Sequence, residues 1–199
     1  MNIVGNNHGS IEKISDQWYV FYHRHTHNSS YSRQACAEKI EIQEDGSIPQ
    51  VPVTSSGLTD SPLHAKGIYP AVIACWVKGR RTTRLINRSK EWKTTHITSK
   101  NNERFITNIK KKSFIGYKYF HFEKESELEI TFRGLGNGCF IIIDYKGNNI
   151  GKINISPSES WRQAKSKLEI EGDSALYLLF DGKGKVDLKT LKFQGQKLM

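Results

Sequence analysis

Three histidines at alternate positions are the residues whose spacing most directly suggests chemistry in this sequence. His23, His25 and His27 follow an aromatic run at residues 18–22. Side chains two residues apart on an extended strand point to the same face, and three imidazoles on one face could bind zinc, copper or nickel. The sequence then turns polar at residues 28–30, where a strand would end, so the same pattern also fits a solvated rim.

Other signatures of catalysis or redox chemistry are absent from the sequence. It contains no Gly-x-Ser-x-Gly nucleophile motif, no phosphate-binding loop and no His-Glu-x-x-His zinc motif. The cysteines Cys36, Cys75 and Cys139 are widely spaced and form no Cys-x-x-Cys pair. Their apolar or small neighbours favour buried free thiols, with a single disulfide as the alternative.

The formal net charge of +10 raises the question of an acidic partner. Basic residues are spread among acidic ones, and the tightest runs are 80–81 and 110–112. No RNA-binding or helix-turn-helix signature accompanies them, so we expect a solvated surface and no nucleic-acid partner, with an acidic polysaccharide as the alternative. We also expect no membrane partner, because no apolar run approaches the roughly 20 residues of a membrane helix. The first residues lack the basic start and apolar core of a signal peptide.

The elements that would position these residues are β-strands. Helical periodicity is almost absent, and short β-rich runs recur between Gly, Asn, Asp, Ser and Pro. In the second half, their even spacing predicts an all-β fold of the antiparallel β-sandwich or jelly-roll type. The candidate strands there are 105–109, 116–122, 128–132, 139–144, 149–155, 162–170, 175–180 and 186–193.

The first half predicts a small separate sheet. Residues 1–55 hold about four candidate strands and a hairpin signal at 44–47. Pro49 and Pro52 confine residues 48–53 to a sheet edge or a loop. Four strands make one blade of a β-propeller, and a single blade cannot bury both of its faces alone. The predicted division is a small sheet at 1–55, a connector at 56–79 and the sandwich at 80–199.

Three stretches near the N-terminus read GNNHGS at 5–10, WYVFYHRH at 18–25 and YSRQAC at 31–36. Together they resemble the final blade of family 43 glycoside hydrolases, five-bladed β-propellers that cleave arabinose-, xylose- or galactose-containing glycans. The stretch YPAVIAC at 69–75 resembles the segment after that blade in members with a C-terminal sandwich. The resemblance implies that residues 1–55 are a propeller-blade fragment.

The resemblance assigns roles to three residues of this fragment. His8 matches a histidine on the propeller axis that often helps to hold a central ion, commonly calcium; a hydrogen bond within a loop is the alternative. Arg33 matches an arginine whose planar donors bind sugar hydroxyls beside the scissile bond, and an ion pair with Glu38 or Glu41 is the alternative. His23 lies where the resemblance places the neighbourhood of the sugar site.

The catalytic carboxylates that the resemblance implies are not found in this chain. Family 43 enzymes invert configuration with one carboxylic acid and one carboxylate, which come from earlier blades. Asp16, Asp45 and Asp60 lie in predicted turns that do not match those positions. We therefore expect this chain to be part of a glycosidase, to hydrolyse nothing by itself, and to need the remaining propeller portion as a partner.

The second half reads GYKYF at 116–120, ALYLLF at 175–180 and VDL at 186–188, with Trp161 between the first two. It resembles a family 6 carbohydrate-binding module, which holds sugar in a loop cleft between aromatic side chains. Trp161 matches one of those aromatics, with plain packing as its alternative, and Tyr117 is the candidate for the other.

Two further positions of the sandwich depart from that resemblance. The second aromatic expected after Trp161 falls at Ala164, and an expected asparagine falls at Lys185. We therefore expect weak glycan binding. The favoured function is part of a glycoside hydrolase that degrades arabinan-, xylan- or galactan-type polysaccharides, secreted or periplasmic as in the family. The alternatives are a stand-alone carbohydrate-binding protein and a basic module for acidic polymers.

Overall fold

The structure, a computed structural model, describes residues 8–25, 33–79, 94–124 and 126–195. Within these ranges the regular elements are β-strands and one 3-10 turn at Ala71–Ile73, so the predicted all-β class is confirmed. These ranges hold no helix that is long and apolar enough to span a membrane. The strands are β1 (Gly9–Ile14), β2 (Gln17–His25), β3 (Arg33–Ile40), β4 (Leu63–His64), β5 (Gly67–Pro70), β6 (Trp76–Lys78), β7 (His96–Lys100), β8 (Glu103–Ile109), β9 (Phe114–Phe122), β10 (Glu127–Gly134), β11 (Asn137–Ile143), β12 (Asn149–Ile155), β13 (Ser158–Lys167), β14 (Gly172–Lys183) and β15 (Val186–Gln194).

The first sheet is a separate antiparallel meander in the order β1-β2-β3. The predicted small sheet is therefore confirmed. Its described part has three strands, and the described residues 41–62 between β3 and β4 hold no strand, so residues 48–53 form a loop and not an edge strand. The turn at 44–47 does form, with Gly46 N–H donating to Gln43 O. The chain beyond it cannot extend a ladder well, because Pro49 and Pro52 carry no N–H donor.

The remaining strands form a sandwich of two six-stranded sheets. One has the order β13-β10-β15-β8-β7, with β5 also paired to β15; the other has the order β12-β11-β14-β9-β4, with β6 also paired to β9. All pairs are antiparallel except β4 with β9. The predicted sandwich is confirmed, and it also recruits β4 to β6 from the predicted connector. The division at residues 55 and 79 stays a prediction.

The core between the two sheets is built by alternating apolar side chains, each of which stabilises the fold by roughly 1.5–3 kcal/mol when fully buried. A bulge in β9 resets its alternation: Leu176 pairs with Tyr117 and Ser174 with Phe120, so β9 has one extra residue between its two partners. Tyr117 and Phe120 therefore both point inward. Fully enclosed core residues include Tyr117, Phe120, Phe122, Phe140, Phe180, Ile106, Ile109, Ile115, Leu128, Ile130 and Ile142.

One face of the meander bonds to residues 72–75 at the edge of the sandwich, whereas Tyr19 and Lys39 on the other face bond to residues 58–60. Register pairs Arg24 with Gln34, so both side chains lie on the same face of the meander. Arg24 donates to Ala74 O at 3.0 Å and to Cys75 O at 2.5 Å, and the amide of Gln34 donates to Val72 O at 3.1 Å. Because Ala74 is completely buried, these bonds reach the edge of the sandwich core.

Candidate functional site

His8, His23 and Arg33 lie at one end of the meander, which we call the His–Arg end. Strand register pairs Ala35 with His23, and Arg33 lies two residues before Ala35, so the side chains of His23 and Arg33 share a face. The rings of His8 and His23 stack with centroids 6.2 Å apart and an interplanar angle of 30°. The structure thus brings together three residues that the sequence singled out separately.

Alternation along β2 places His23 on the face of the meander opposite to Arg24. Arg24 points toward the sandwich, where it binds the backbone of Ala74 and Cys75, so His23, its neighbour along β2, must point away. Arg33 is exposed and His23 is half-buried. A guanidinium that is exposed on a firmly anchored sheet can donate to hydroxyl groups of a ligand.

Glu38, one of the alternative partners expected for Arg33, lies on the other face of the meander. Glu38 pairs in register with Val20, on the face that carries Arg24. Its buried carboxylate accepts hydrogen bonds from Tyr22 Oη at 2.9 Å, Thr54 N at 2.8 Å and Thr54 Oγ1 at 2.6 Å. The alternative of an ion pair between Arg33 and Glu38 is therefore wrong, because the two side chains project from opposite faces of the sheet.

Where the meander meets the sandwich, burial keeps the Tyr22 phenol and the Cys75 thiol in their neutral forms. Burial, together with the nearby Glu38 carboxylate, raises the pKa of Tyr22 far above its ordinary value. The phenol therefore remains a donor to Glu38. Burial likewise raises the pKa of the Cys75 thiol, whose Sγ donates to Gly116 O at 3.4 Å. The cysteines Cys36, Cys75 and Cys139 are free thiols, although only Cys139 is fully buried.

Metal binding finds little support among the described residues. They include no group of three or more His, Cys, Asp or Glu side chains that could hold an ion. His8 is exposed and its ring contacts another imidazole, whereas calcium prefers oxygen ligands. The donors described around His8 therefore do not fit a calcium ion. His27, the third member of the alternating set, lies outside the described residues, as does the side chain of His25.

Tyr117 does not line a sugar cleft, and its assignment as a sugar-contacting aromatic is wrong. Its side chain has no exposed surface, and its hydroxyl donates to Ala71 O at 3.1 Å. Burial raises the pKa of Tyr117 well above the usual value for tyrosine. The physical reason is the bulge in β9, which turns Tyr117 into the core and which the sequence does not reveal.

Trp161 lies on the other sheet, and its ring is engaged by neighbouring side chains. Its Nε1 donates to Glu103 Oε2 at 3.2 Å, and the Arg133 guanidinium lies 4.2 Å from its ring centroid. Phe105 meets the ring edge-on at 5.6 Å and Lys189 lies 5.2 Å away. Because a cation already occupies an aromatic face, this geometry favours packing over sugar stacking. Ala164 packs against the core.

Sequence reasoning missed the anchoring roles of Arg24 and Glu38, which together with Gln34 bond the meander to residues 54 and 72–75. Alternation in β2 and β3 was the available signal, since Arg24 and Glu38 occupy positions of the same parity as the buried Ile40. Alternation alone does not predict which face of the meander the segment 71–75 covers. That choice depends on contacts between residues about 50 positions apart in the sequence.

Comparisons with known proteins agree with this architecture. No protein-family model matches the chain. A curated xylosidase/arabinosidase of Thermoclostridium stercorarium is 39% identical over 196 residues, which is 94% of this chain and 41% of that relative. A family 43 arabinoxylan arabinofuranohydrolase from Bacillus subtilis superposes with a TM-score of 0.60 at 18% identity, over 96% of this chain and 41% of that one. A family 6 carbohydrate-binding module from Clostridium cellulolyticum superposes with a TM-score of 0.55 at 14% identity, over 66% of this chain and 99% of the module.

The fold is therefore that of a propeller-type meander joined to a sandwich of the family 6 carbohydrate-binding type. The 39% sequence identity over 94% of the chain indicates common ancestry in addition to the similar fold. The chain is a relative of the C-terminal part of family 43 glycoside hydrolases, which carries a sandwich like that of carbohydrate-binding module family 6. It spans about two-fifths of the length of the xylosidase/arabinosidase and of the arabinofuranohydrolase.

Proposed function

We propose that this chain supplies the last blade and an accessory sandwich to a glycoside hydrolase that degrades arabinan-, xylan- or galactan-type polysaccharides. The observation that carries the proposal is the His–Arg end, where His8, His23 and Arg33 converge on the face turned away from the sandwich. The xylosidase/arabinosidase relative supports the reaction class, which is hydrolysis of a glycosidic bond. Polysaccharides are too large to enter a cell intact, so the proposed site of action is outside the cytoplasm.

The role proposed for Arg33 is to bind sugar hydroxyls beside the scissile bond. Its fork of N–H donors is planar and permanently charged, which fixes the direction of two hydrogen bonds. The guanidinium can also hold a nearby catalytic carboxylate in its ionised form by favourable charge interaction. His23 lies on the same face of the meander as Arg33 and is proposed to line the same sugar site. The ring of His8 stacks on the ring of His23.

The partner proposed for the meander is the remaining propeller. Every residue of β1 is exposed, and among the described residues this strand pairs only with β2. Ile11 and Ile14 leave 44% of their surface in contact with water. An open strand edge can pair with a further strand of the propeller, and the exposed isoleucines offer apolar surface that its other parts could cover. Docking there would cover Ile11 and Ile14, and in the proposal other blades bring acidic residues to the face that carries Arg33 on β3.

The catalytic carboxylates are proposed to come from that partner. An inverting glycosidase needs an acid and a base roughly 6.5–9.5 Å apart, one to protonate the leaving group and one to activate water. Each acid–base contribution is worth about two to four orders of magnitude in rate. By itself the chain is therefore expected to show no turnover of aryl arabinosides, xylosides or galactosides.

The second candidate function is a stand-alone carbohydrate-binding protein, which the sandwich fold favours. The crystallised family 6 modules with this fold include one bound to xylose and one bound to cellobiose. In this chain the contacts of Trp161 with Arg133 and Lys189 argue for weak binding at that position. Without a second aromatic wall, dissociation constants near or above millimolar are expected, which is about −4 kcal/mol.

Titration calorimetry together with activity assays separates the two functions. The chain alone is expected to bind xylo- and arabino-oligosaccharides weakly and to hydrolyse none of the aryl glycosides. Micromolar binding that Trp161→Ala abolishes would favour the stand-alone binding protein. The isolated chain could instead hydrolyse an aryl glycoside and lose that activity in Arg33→Ala. This result would contradict the proposal that the catalytic carboxylates come from the rest of the propeller, because the chain would then need a complete acid–base pair of its own.

A further inference from the structure

Two histidines and an aspartate lie side by side across three strands of the sandwich. Register pairs His64 on β4 with His121 on β9, and His121 with Asp173 on β14. Cross-strand partners share a face of the sheet, so the three side chains project together. All three are exposed, whereas their chain neighbours Leu63 and Phe122 are buried in the core, so this is the outer face. We call these three residues the His–His–Asp row.

The two imidazoles of the row are close enough to bind one ion. The ring centroids of His64 and His121 lie 6.2 Å apart, and their planes meet at 76°. Two nitrogens that bind the same zinc ion are at most about 4 Å apart, because a Zn–N bond is about 2.0–2.1 Å long. The nitrogens lie at the ring edges, and the second side-chain torsion of histidine is broad, so small rotations of the two exposed rings reach that separation.

The aspartate of the row sets which nitrogen of His121 is available to an ion. His121 Nδ1 lies 2.6 Å from Asp173 Oδ1. An ionised carboxylate only accepts hydrogen bonds, so Nδ1 of the neutral imidazole carries the proton and Nε2 keeps its lone pair. Metal-binding histidines almost always donate their other ring N–H to a carboxylate or a carbonyl, which orients the ring and makes the binding nitrogen more basic. The contact with Asp173 therefore prepares His121 as a metal ligand.

We propose that the His–His–Asp row binds a divalent transition metal of the zinc, nickel and copper class. His64 and His121 are the ligands, water completes the coordination, and Asp173 positions His121. Imidazole suits these metals, whereas calcium and magnesium prefer oxygen ligands. Among the described residues no group of three or more His, Cys, Asp or Glu side chains could hold an ion, so the site has two protein ligands and no third. With half the ligands of a structural zinc site, its affinity is expected to be micromolar or weaker.

A metal in this row fastens β4 to the sandwich. Strand β4 has two residues, and among the described strands it pairs only with β9. Ala65 N, just beyond β4, donates to His121 O at 2.9 Å. An ion held by both His64 and His121 must lose a ligand before β4 can leave β9, so the bound metal opposes this local opening. This role is independent of the proposed hydrolase function, because none of its residues belongs to the His–Arg end.

Titration of the whole chain with zinc chloride tests the proposal, with calorimetry to measure affinity and amide hydrogen exchange to locate the effect. At a zinc concentration about ten times the dissociation constant, exchange of the Ala65 amide should slow about tenfold, because binding suppresses the opening in proportion to the bound fraction. Calcium chloride at the same concentration should leave this exchange unchanged. Exchange of Ala65 that does not respond to zinc, or that slows equally with calcium, overturns the proposal.

Variants of the two ligands test their roles directly. His64→Gln and His121→Gln should each weaken zinc binding at least tenfold and abolish the zinc-dependent slowing at Ala65. Both positions are exposed, so the melting temperature of the zinc-free chain should stay close to that of wild type. Zinc binding by a folded His64→Gln chain that equals wild type overturns the proposal and leaves His121 and Asp173 as a surface ion pair.

A second set of variants tests the positioning residue and the location. Asp173→Asn should weaken zinc binding about tenfold, as loss of a carboxylate behind a ligand histidine does. Asp181→Asn, which alters another exposed and ion-paired carboxylate of β14, should change it less than twofold. His8→Gln with His23→Gln should leave the slowing at Ala65 intact. Loss of that slowing in the His8 and His23 double variant overturns the proposal and assigns the metal to the His–Arg end.

Discussion

Replacing Arg24 by methionine should loosen the meander from the sandwich. Methionine keeps much of the aliphatic stem and removes the donors to Ala74 O and Cys75 O. A hydrogen bond from a charged group contributes about 1.5–3 kcal/mol. Arg24 is half-buried, so water can replace part of each bond, and the lower figure is appropriate. Two such bonds give about 3 kcal/mol for the docking of the meander.

Hydrogen exchange measures this loss where it should occur. About 3 kcal/mol corresponds to amide exchange in β2 and β3 that is faster by roughly two orders of magnitude. Exchange in β14, inside the sandwich, should change little because the hydrogen bonds of Arg24 go to Cys36 in the meander and to Ala74 and Cys75. Arg162→Met, at an exposed position of β13, serves as the matched control and should stay within about 0.5 kcal/mol of wild type. Acceleration of less than threefold in β2 and β3 would refute the role given to Arg24.

Three further predictions concern stability. Glu38→Gln should lower the free energy of unfolding by about 2 kcal/mol, measured by urea denaturation against the exposed control Glu44→Gln, because an amide group would face the donors of Tyr22 and Thr54; an equal effect of the control contradicts this. Tyr117→Phe should cost about 1 kcal/mol and leave oligosaccharide affinity unchanged, since its hydroxyl bonds Ala71 O; a loss of affinity would restore Tyr117 to a sugar site. Because burial raises the pKa of Cys75, its contribution to stability is complete below the unfolded thiol pKa of about 8.5 and falls as pH rises above it; a Cys75→Ala chain should show a flatter decline in unfolding free energy between neutral and alkaline pH, and an equally steep decline would contradict this.

The strands of the sandwich could be predicted from the sequence because two signals coincide there. Alternating apolar residues mark β10, β14 and β15, a continuous apolar run marks β11, and glycines with positive φ, such as Gly147 at 91° and Gly184 at 79°, mark turns between strands. Strand β7 was not predicted, and strands β4 to β6 escaped prediction because they contain only two to four residues each. So short a run shows no period, and it becomes a strand only because β9 and β15 offer open edges.

The candidate site could be predicted less completely. The resemblance to a propeller blade identified His8, His23 and Arg33 as candidate site residues. Strand register and ring stacking place them at one end of the meander. Their role in binding sugar stays a prediction. Tyr117 failed because one inserted residue in β9 reverses which side chains face the core. Trp161 presents the same difficulty in another form, since nothing in the sequence reveals that Arg133 lies against its ring.

The row of residues across β6, β9 and β14 also could not be predicted from the sequence. Trp76 and Tyr177 are about a hundred positions apart, and only the pairing of β6 and β14 with β9 places them in one row. Short strands such as β6 are therefore where the structure adds most to the sequence.

The central claim is that this chain completes the sugar site of a family 43 glycoside hydrolase through Arg33. The most direct test is a chimera in which this chain replaces the matching 41% of the Thermoclostridium stercorarium xylosidase/arabinosidase. We predict that the chimera hydrolyses an aryl arabinoside or xyloside, and that Arg33→Lys lowers its kcat/KM by about a hundredfold or more, about 2.7 kcal/mol, because the planar fork is lost. Arg104→Lys, at an exposed position of β8, should leave kcat/KM unchanged. A folded, active chimera whose kcat/KM is insensitive to Arg33→Lys would contradict the claim.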